Sequence, residues 1–294
     1  LTHGAKDDGT KYTGRGMQIS GSSMRATIYG GSIAENETET EGAGVRVGDN
    51  AVFTMYGGAV TGNKVTADGS TGGGIWSEGR TTIKGNAEIS GNTAVGGETS
   101  GGRGAGIYSV NQLTIGGNAK IIDNRAENEG GKGGGVYTDG GLEINGQDVE
   151  IKRNTASSVG GGIYANYGVS FSVSGKVNVT GNQDGYYETR GGSNVFLNND
   201  PEGNIIPITV SGELTDASIG VTLGQSALPQ NGRSVTFAEA ADASWIKQDS
   251  FTSDDKRYIA EQSVNQMVLK EHTHQWKFIA ARDMQSVGLN FEGT

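Results

Sequence analysis

Short runs of three to five residues along the chain alternate apolar and polar side chains. In AEISGN, Ala87 and Ile89 fall on one side and Glu88 on the other; in QLTIG, Leu113 and Ile115 share a side that Thr114 does not. VFTM (52–55), TTIK (81–84), LEIN (142–145) and FSVS (171–174) repeat the scheme. A period of two is the mark of a strand, whose successive side chains point to opposite faces, and not of a helix. The runs are bounded by Gly, Asn and Asp, residues that turn a chain. The pattern predicts an all-β protein of short strands.

The strands belong to a longer repeat. An apolar-x-x-Asn element recurs as Ile33–Asn36, Val60–Asn63, Ile89–Asn92, Ile121–Asn124, Ile151–Asn154 and Val179–Asn182, its asparagines 27, 29, 32, 30 and 28 residues apart. A variable polar loop follows each Asn. Then comes a glycine phrase: GAGVRVG at 42, GGGIWSEG at 72, GAGIYSV at 104, GGGVYTDG at 133 and GGGIYANYG at 160. Three short strands in a repeat of roughly 28 residues, with glycine at the corners, describe one coil of a parallel β-solenoid. Six or more coils stacked at about 4.8 Å would make a rod of at least ~30 Å. Gly supplies the positive φ of a tight corner and lets neighbouring backbones approach. A phosphate-cradling loop would need a helix N-terminus after the glycines, and a strand follows instead. The recurring Asn residues, Asn36, Asn63, Asn92, Asn124, Asn154 and Asn182, predict a ladder of stacked amides. The outward positions Glu88, Lys120 and Glu150 alternate in charge, as a solvated face does.

Composition narrows the class. Gly is 52 of 294 residues, Pro only 3 and Cys absent, so collagen, proline-rich linkers, disulfides and thiolate metal sites are excluded. The net charge of −10 and the lack of a basic window argue against a nucleic-acid partner. No run of about 18 apolar residues is present, so no membrane insertion is expected of this segment. The chain opens on Leu1 without a signal peptide, and it is read as a monomeric segment of a larger protein.

VFTMYGGAVTGNKVTADGSTGGGIW (52–76) resembles the FTM-x-GG-x-I-x-GN-x-A … GGGVY repeat of large Gram-positive gut-bacterial surface proteins. These are adhesin-like right-handed parallel β-helices of the pectate-lyase-like superfamily. LTHGAKDDGTKYTGRGMQISGSS (1–23) is similar to the unit that precedes such repeats. GELTDASIGVTL (212–223) and FTSDDKRYIAEQSVNQMVLKEHTHQW (251–276) are similar to the module that closes them. The resemblance covers roughly residues 1 to 276. It implies a right-handed β-helix over 1–212, a β-rich C-terminal cap over 213–270 and a linker or tail over 271–294. It also implies an extracellular, bacterial cell-surface location. The superfamily hosts lyases, hydrolases, adhesins and inert stalks, so the resemblance does not fix an activity.

Candidate chemistry is sparse. His3, His272 and His274 all lie outside the repeats, and the polygalacturonase motifs of this fold are missing from the coils. The acidic residues of the loops, among them Glu37, Glu39, Glu41, Asp68, Glu98, Glu127, Glu129, Asp184 and Glu188, are scattered. Arg103, Lys132 and Arg190 are interspersed. Two carboxylates about 5–10 Å apart could hydrolyse a glycoside, and Asp139, or Asp184 with Glu188, are the candidates. The acidic loops could bind Ca²⁺ weakly, although no EF-hand or GGxGxD pattern is present. Zn²⁺ on His272 and His274 with Glu271 would still lack ligands, and no cofactor is expected. An ice-binding face would need a regular Thr array, which the mixed outward columns do not provide.

One column remains. The residue after the inward Ile or Val of the glycine phrase should face outward, and down the coils it reads Arg46, Trp76, Tyr108, Tyr137, Tyr164 and Phe196. Exposed aromatics in line would form a platform for sugar rings or a protein partner; alternatively they stack on one another and fix the register. The sequence thus points to a non-enzymatic stalk or adhesin for host glycans or surface proteins, with a polysaccharide lyase or glycoside hydrolase as the alternative.

Overall fold

The computed structural model describes residues 1, 13–97, 100–185 and 193–272, and the backbone of Trp276–Phe278 and Phe291–Gly293. The chain is an all-β parallel solenoid of about eight turns. One central coil shows the plan. Its strands are Ile75–Ser77, Arg80–Ile83, Glu88–Ser90 and Thr93–Ala94. Each pairs in parallel with its equivalents one coil before and one coil after, without a register shift. Ile75 lies between Val45 and Ile107, Ile83 between Met55 and Ile115, and Ile89 between Val60 and Ile121.

The coil therefore carries four strands where the alternation predicted three. The extra one is two residues long and follows the Asn; Glu37–Thr38, Lys64–Val65, Thr93–Ala94, Arg125–Ala126 and Thr155–Ala156 form their own five-stranded sheet. Two residues are too few to display an alternation. Further along, Leu142–Lys152 and Phe171–Thr180 run unbroken through two sides of the coil, where earlier coils turn.

The core is a set of columns. Val60, Ile89, Ile121, Ile151 and Val179 stack inside, as do Met55, Ile83, Ile115, Ile144 and Val173, all fully buried. Each such side chain contributes roughly 1.5–3 kcal/mol by leaving water. A coil can bury its apolar face only against its neighbours, so cohesion runs along the axis.

The asparagines form one continuous chain of hydrogen bonds. Asn124 donates from its backbone N and from Nδ2 to Oδ1 of Asn154, at 3.0 and 2.9 Å. Its own Oδ1 accepts from N and Nδ2 of Asn92, both at 3.0 Å. The same paired donation links Asn36 to Asn63, Asn63 to Asn92, Asn154 to Asn182 and Asn182 to Asn194. The ladder ends on a carboxylate: Asn194 donates from N and Nδ2 to the two oxygens of Asp254, each at 2.6 Å.

The ladder explains the glycine phrase. Gly133 takes φ +62° at the corner, where an L side chain is strained. Gly135 has an ordinary φ, but a Cβ there would lie 2.6 Å from the Gly162 carbonyl and 3.0 Å from Nδ2 of Asn154. The third glycine leaves room for the amide. At the equivalent position of a later coil stands Asn194, and its side chain occupies that room and carries the ladder onward.

Parallel pairing continues past residue 212, the expected end of the coils. Ile208–Leu214 pairs in parallel with Val235–Ala240, and Ser218–Leu223 with Phe251–Ser253. Only then does the topology change: Gln266–Glu271 runs antiparallel to both Val235–Ala240 and Tyr258–Ser263.

Candidate functional site

The aromatic column lies outside the coil, yet it is not an open platform. Trp76, Tyr137, Tyr164 and Phe196 are only 8, 5, 3 and 7% exposed, and Tyr108 is half-buried. Tyr108, Tyr137, Tyr164 and Phe196 stack on one another with ring centroids 4.9, 4.8 and 5.4 Å apart and planes within 12°. The expected exposure of Trp76, Tyr137, Tyr164 and Phe196 is thus corrected. The coil spacing equals a stacking distance, so the rings seal each other, and the residues that lead into the glycine phrase close over them. Val159 packs against the stack. The Arg46 guanidinium lies 4.5 Å from the Trp76 ring centre, Arg103 6.0 Å from that of Tyr137, and the Lys132 ammonium 5.1 Å from that of Tyr164. Such stacks and cation–ring contacts each add about 0.5–1.5 kcal/mol to register.

Burial pushes the tyrosine hydroxyls up in pKa. For Tyr108 the hydrogen bond to Asp139 and the charge of Asp139 add to it. Tyr137 rises by burial and then by the Asp139 charge. Tyr164 is pushed up to about 12, chiefly by burial, with Arg103 opposing. All three hydroxyls therefore remain protonated donors at neutral pH.

Asp139 is exposed at the margin of this column. Its carboxylate accepts from the Tyr108 hydroxyl at 2.6 Å and from Nδ2 of Asn166 at 2.7 Å; Asn166 in turn accepts from Nδ2 of Asn198 at 2.9 Å. The result is a polar row along one side of the tyrosines, not a carboxylate pair. Asp184 stands elsewhere. Gln183 bridges Thr155, so Asp184 follows Ala156 in a column that reads Thr38, Val65, Ala94, Ala126 and Ala156. It is buried, and its charge helps raise Asp254, whose pKa burial pushes up to about 6. The structure does not bring Asp139 and Asp184 into one site. Glu188, the intended partner of Asp184, and Arg190 lie outside the described residues, as do Glu98, His3 and His274. Glu271 accepts from the Gly232 backbone at 3.1 Å. Among the described residues no three His, Asp or Glu side chains are grouped to hold a metal ion.

No protein-family model, curated protein or solved structure matches this chain. Its chemistry is therefore read from the coils alone.

Among the described residues the exposed aromatics are Tyr29, Tyr56 and Tyr167, and the first two form a pair that the alternation passed over. Tyr29 and Tyr56, 77 and 42% exposed, stack at 5.2 Å, and the Lys84 ammonium sits 4.5 Å from the Tyr56 ring centre. The signal was present: each follows an aligned strand, in ATIY, FTMY and TTIK.

The opposite-charge column lies in register, and its Lys120–Glu150 step is an ion pair. Lys120 lies 3.3 Å from Glu150, and hydrogen bonds from Lys152 and Lys120 hold the Glu150 carboxyl below its usual range. Elsewhere along the rod, Arg153 meets Asp123 at 2.8 Å and Lys176 meets Asp148 at 3.2 Å.

Proposed function

We propose that this chain is a non-enzymatic extracellular module, a stalk or adhesin that presents one edge of its solenoid to host glycans or proteins. The right-handed coil and the closing role of the C-terminal strands, which its repeat resembles in Gram-positive surface proteins, are part of this reading. One observation carries it. The recurring side chains are spent on the next coil: the asparagines in a ladder, the aromatics in a stack, the aliphatics in the core. What varies is the loop between each Asn and its glycine phrase, and these loops line up on one edge. A scaffold of fixed pitch with a variable edge suits display. Catalysis would need convergent acid and base groups.

The test is an array of host glycans and extracellular proteins probed with the intact chain, with reducing-sugar and unsaturated-uronate release assayed on every hit. Binding without release is expected. Release of sugar would replace this reading with a lyase or hydrolase, and an absence of any partner would remove the adhesive one. Trp76 and Tyr137 are unsuitable as probes because they are buried. Tyr29→Ala with Tyr56→Ala is the appropriate exposed control.

A further inference from the structure

Among the described residues, Arg103 and Lys132 are like charges set in register, against the opposite-charge pattern of Glu37 with Lys64 and Lys120 with Glu150. Arg103 and Lys132 bridge each other in parallel register on adjacent coils, between Thr71 and Val159. Both are half-buried, and neither has a carboxylate within ion-pair distance among the described residues. Like charges opposite each other destabilise a sheet. The cost is felt here: burial first, and then the Arg103 charge, lowers the Lys132 pKa.

Beside this pair run the tyrosines. The Arg103 guanidinium lies 6.0 Å from the Tyr137 ring centre and the Lys132 ammonium 5.1 Å from that of Tyr164. The Tyr108 hydroxyl is committed to Asp139, whereas those of Tyr137 and Tyr164 have no partner among the described residues. Two cations and two free hydroxyl donors thus belong to the same stacked column. Asp139, at the margin of the column, already takes hydrogen bonds from Tyr108 and Asn166. A cluster of donors at a desolvated margin is complementary to an oxyanion.

We propose that Arg103 and Lys132, with the hydroxyls of Tyr137 and Tyr164, bind the carboxylate or sulfate group of an acidic saccharide. The inference rests on the glycan-display reading above. The polar row of Asp139, Asn166 and Asn198 on the other side of the tyrosines supplies acceptors and donors for sugar hydroxyls. Two cations match one acidic group, and the chain's net charge of −10 repels long polyanions, so a short or terminal acidic unit fits better than a nucleic acid.

The experiment is calorimetric titration of the intact chain, at low ionic strength, with a sulfated disaccharide, an oligouronate, their uncharged counterparts and inorganic sulfate. Wild type is compared with the Arg103→Gln/Lys132→Gln double variant. We expect an acidic saccharide to bind, its uncharged counterpart to bind much less, and the double variant to lose about tenfold or more in affinity. The double variant loses the Arg103–Lys132 repulsion together with two cation–ring contacts, so a retained cooperative melt and an unchanged circular-dichroism spectrum separate loss of a site from loss of fold. Equal binding by the double variant, equal binding of the uncharged sugars, or no acidic saccharide bound would overturn the proposal. Inorganic sulfate binding as tightly as the sugar would also overturn it, since the saccharide would then contribute nothing. A glycan or protein partner retained by the double variant would leave the display function standing while this site falls. A chain with no partner of any kind would fail both.

Discussion

Asn124→Ala tests whether the ladder holds the rod together. The substitution removes four hydrogen bonds that depend on the side chain. Two are accepted from N and Nδ2 of Asn92, and two are donated by Nδ2, to Asn154 Oδ1 and to the Ile89 carbonyl. Asn92 Nδ2 keeps the Val60 carbonyl and Asn154 Oδ1 keeps the Asn124 backbone N. The Asn92 backbone N loses its acceptor inside a fully buried stretch. At about 0.5–1.5 kcal/mol for each bond, with the orphaned donor toward the top of its range, the loss is about 4 kcal/mol. The lesion sits mid-rod, so it should also weaken the coupling between the coils on either side, because a solenoid transmits stability only through neighbours. The assay is equilibrium unfolding in urea, followed by circular dichroism. A lower midpoint together with a broader or two-step transition is expected. A change below about 1 kcal/mol with an unaltered slope would refute the ladder as a source of cohesion.

Three further outcomes follow from the same contacts. Gly135→Ala should destabilise the rod by more than about 1 kcal/mol, while Gly30→Ala, whose Cβ would meet nothing within 4 Å, should stabilise it by about 0.4–1 kcal/mol; thermal melts of the two separate close approach from chain entropy. Tyr137→Ala opens a gap in a sealed stack and should cost about 3–5 kcal/mol, whereas Tyr137→Phe, which keeps the ring, should cost far less; equal losses in chemical denaturation would show that stacking is not the cause. Asp254 has a folded pKa near 6, above its unfolded value of about 3.9, so the folded state holds its proton longer. Its contribution favours the fold below pH ~4 and is lost as pH rises toward 6, roughly 3 kcal/mol over two units; Asp254→Asn should abolish that falling slope, and an identical slope in the variant would assign it elsewhere.

The ladder and the core were legible because each is written once per coil. Ile89, Ile121 and Ile151 announce an inward column by period alone, and the Asn three residues later cannot recur by accident at the same place in every coil. The burial of the aromatics was not legible. Whether Tyr137 is open depends on what Arg103, Lys132 and Val159 do, and they lie in segments of unequal length and composition that carry no period. The acceptor that ends the ladder was hidden for another reason. Asp254 lies 60 residues from Asn194, beyond any repeat, and only the fold brings the two together. Tyr29 and Tyr56 were visible in the alignment, but their position directly after a strand reads as the start of a turn.

In a solenoid every residue has a known counterpart one coil away, so a departure from the column carries information that a lone residue does not. Asn194 in a glycine column marks where the ladder is taken over by a side chain. Asp184 in a column of Thr, Val and Ala marks where a charge enters the interior and bears on Asp254. These two departures sit together at the last link of the ladder, where Asn194 is held by its hydrogen bonds and Asp184 bears on Asp254. Arg103 and Lys132 depart in the opposite sense. They set like charges where the rod otherwise pairs unlike ones, and among the described residues it is contacts with the Tyr137 and Tyr164 rings, not a carboxylate, that face the two cations. A repeat that satisfies its polar groups internally for coil after coil, and then leaves two cations beside two free hydroxyls on its variable edge, has its unmet interactions there. That edge is where a ligand gains most by binding.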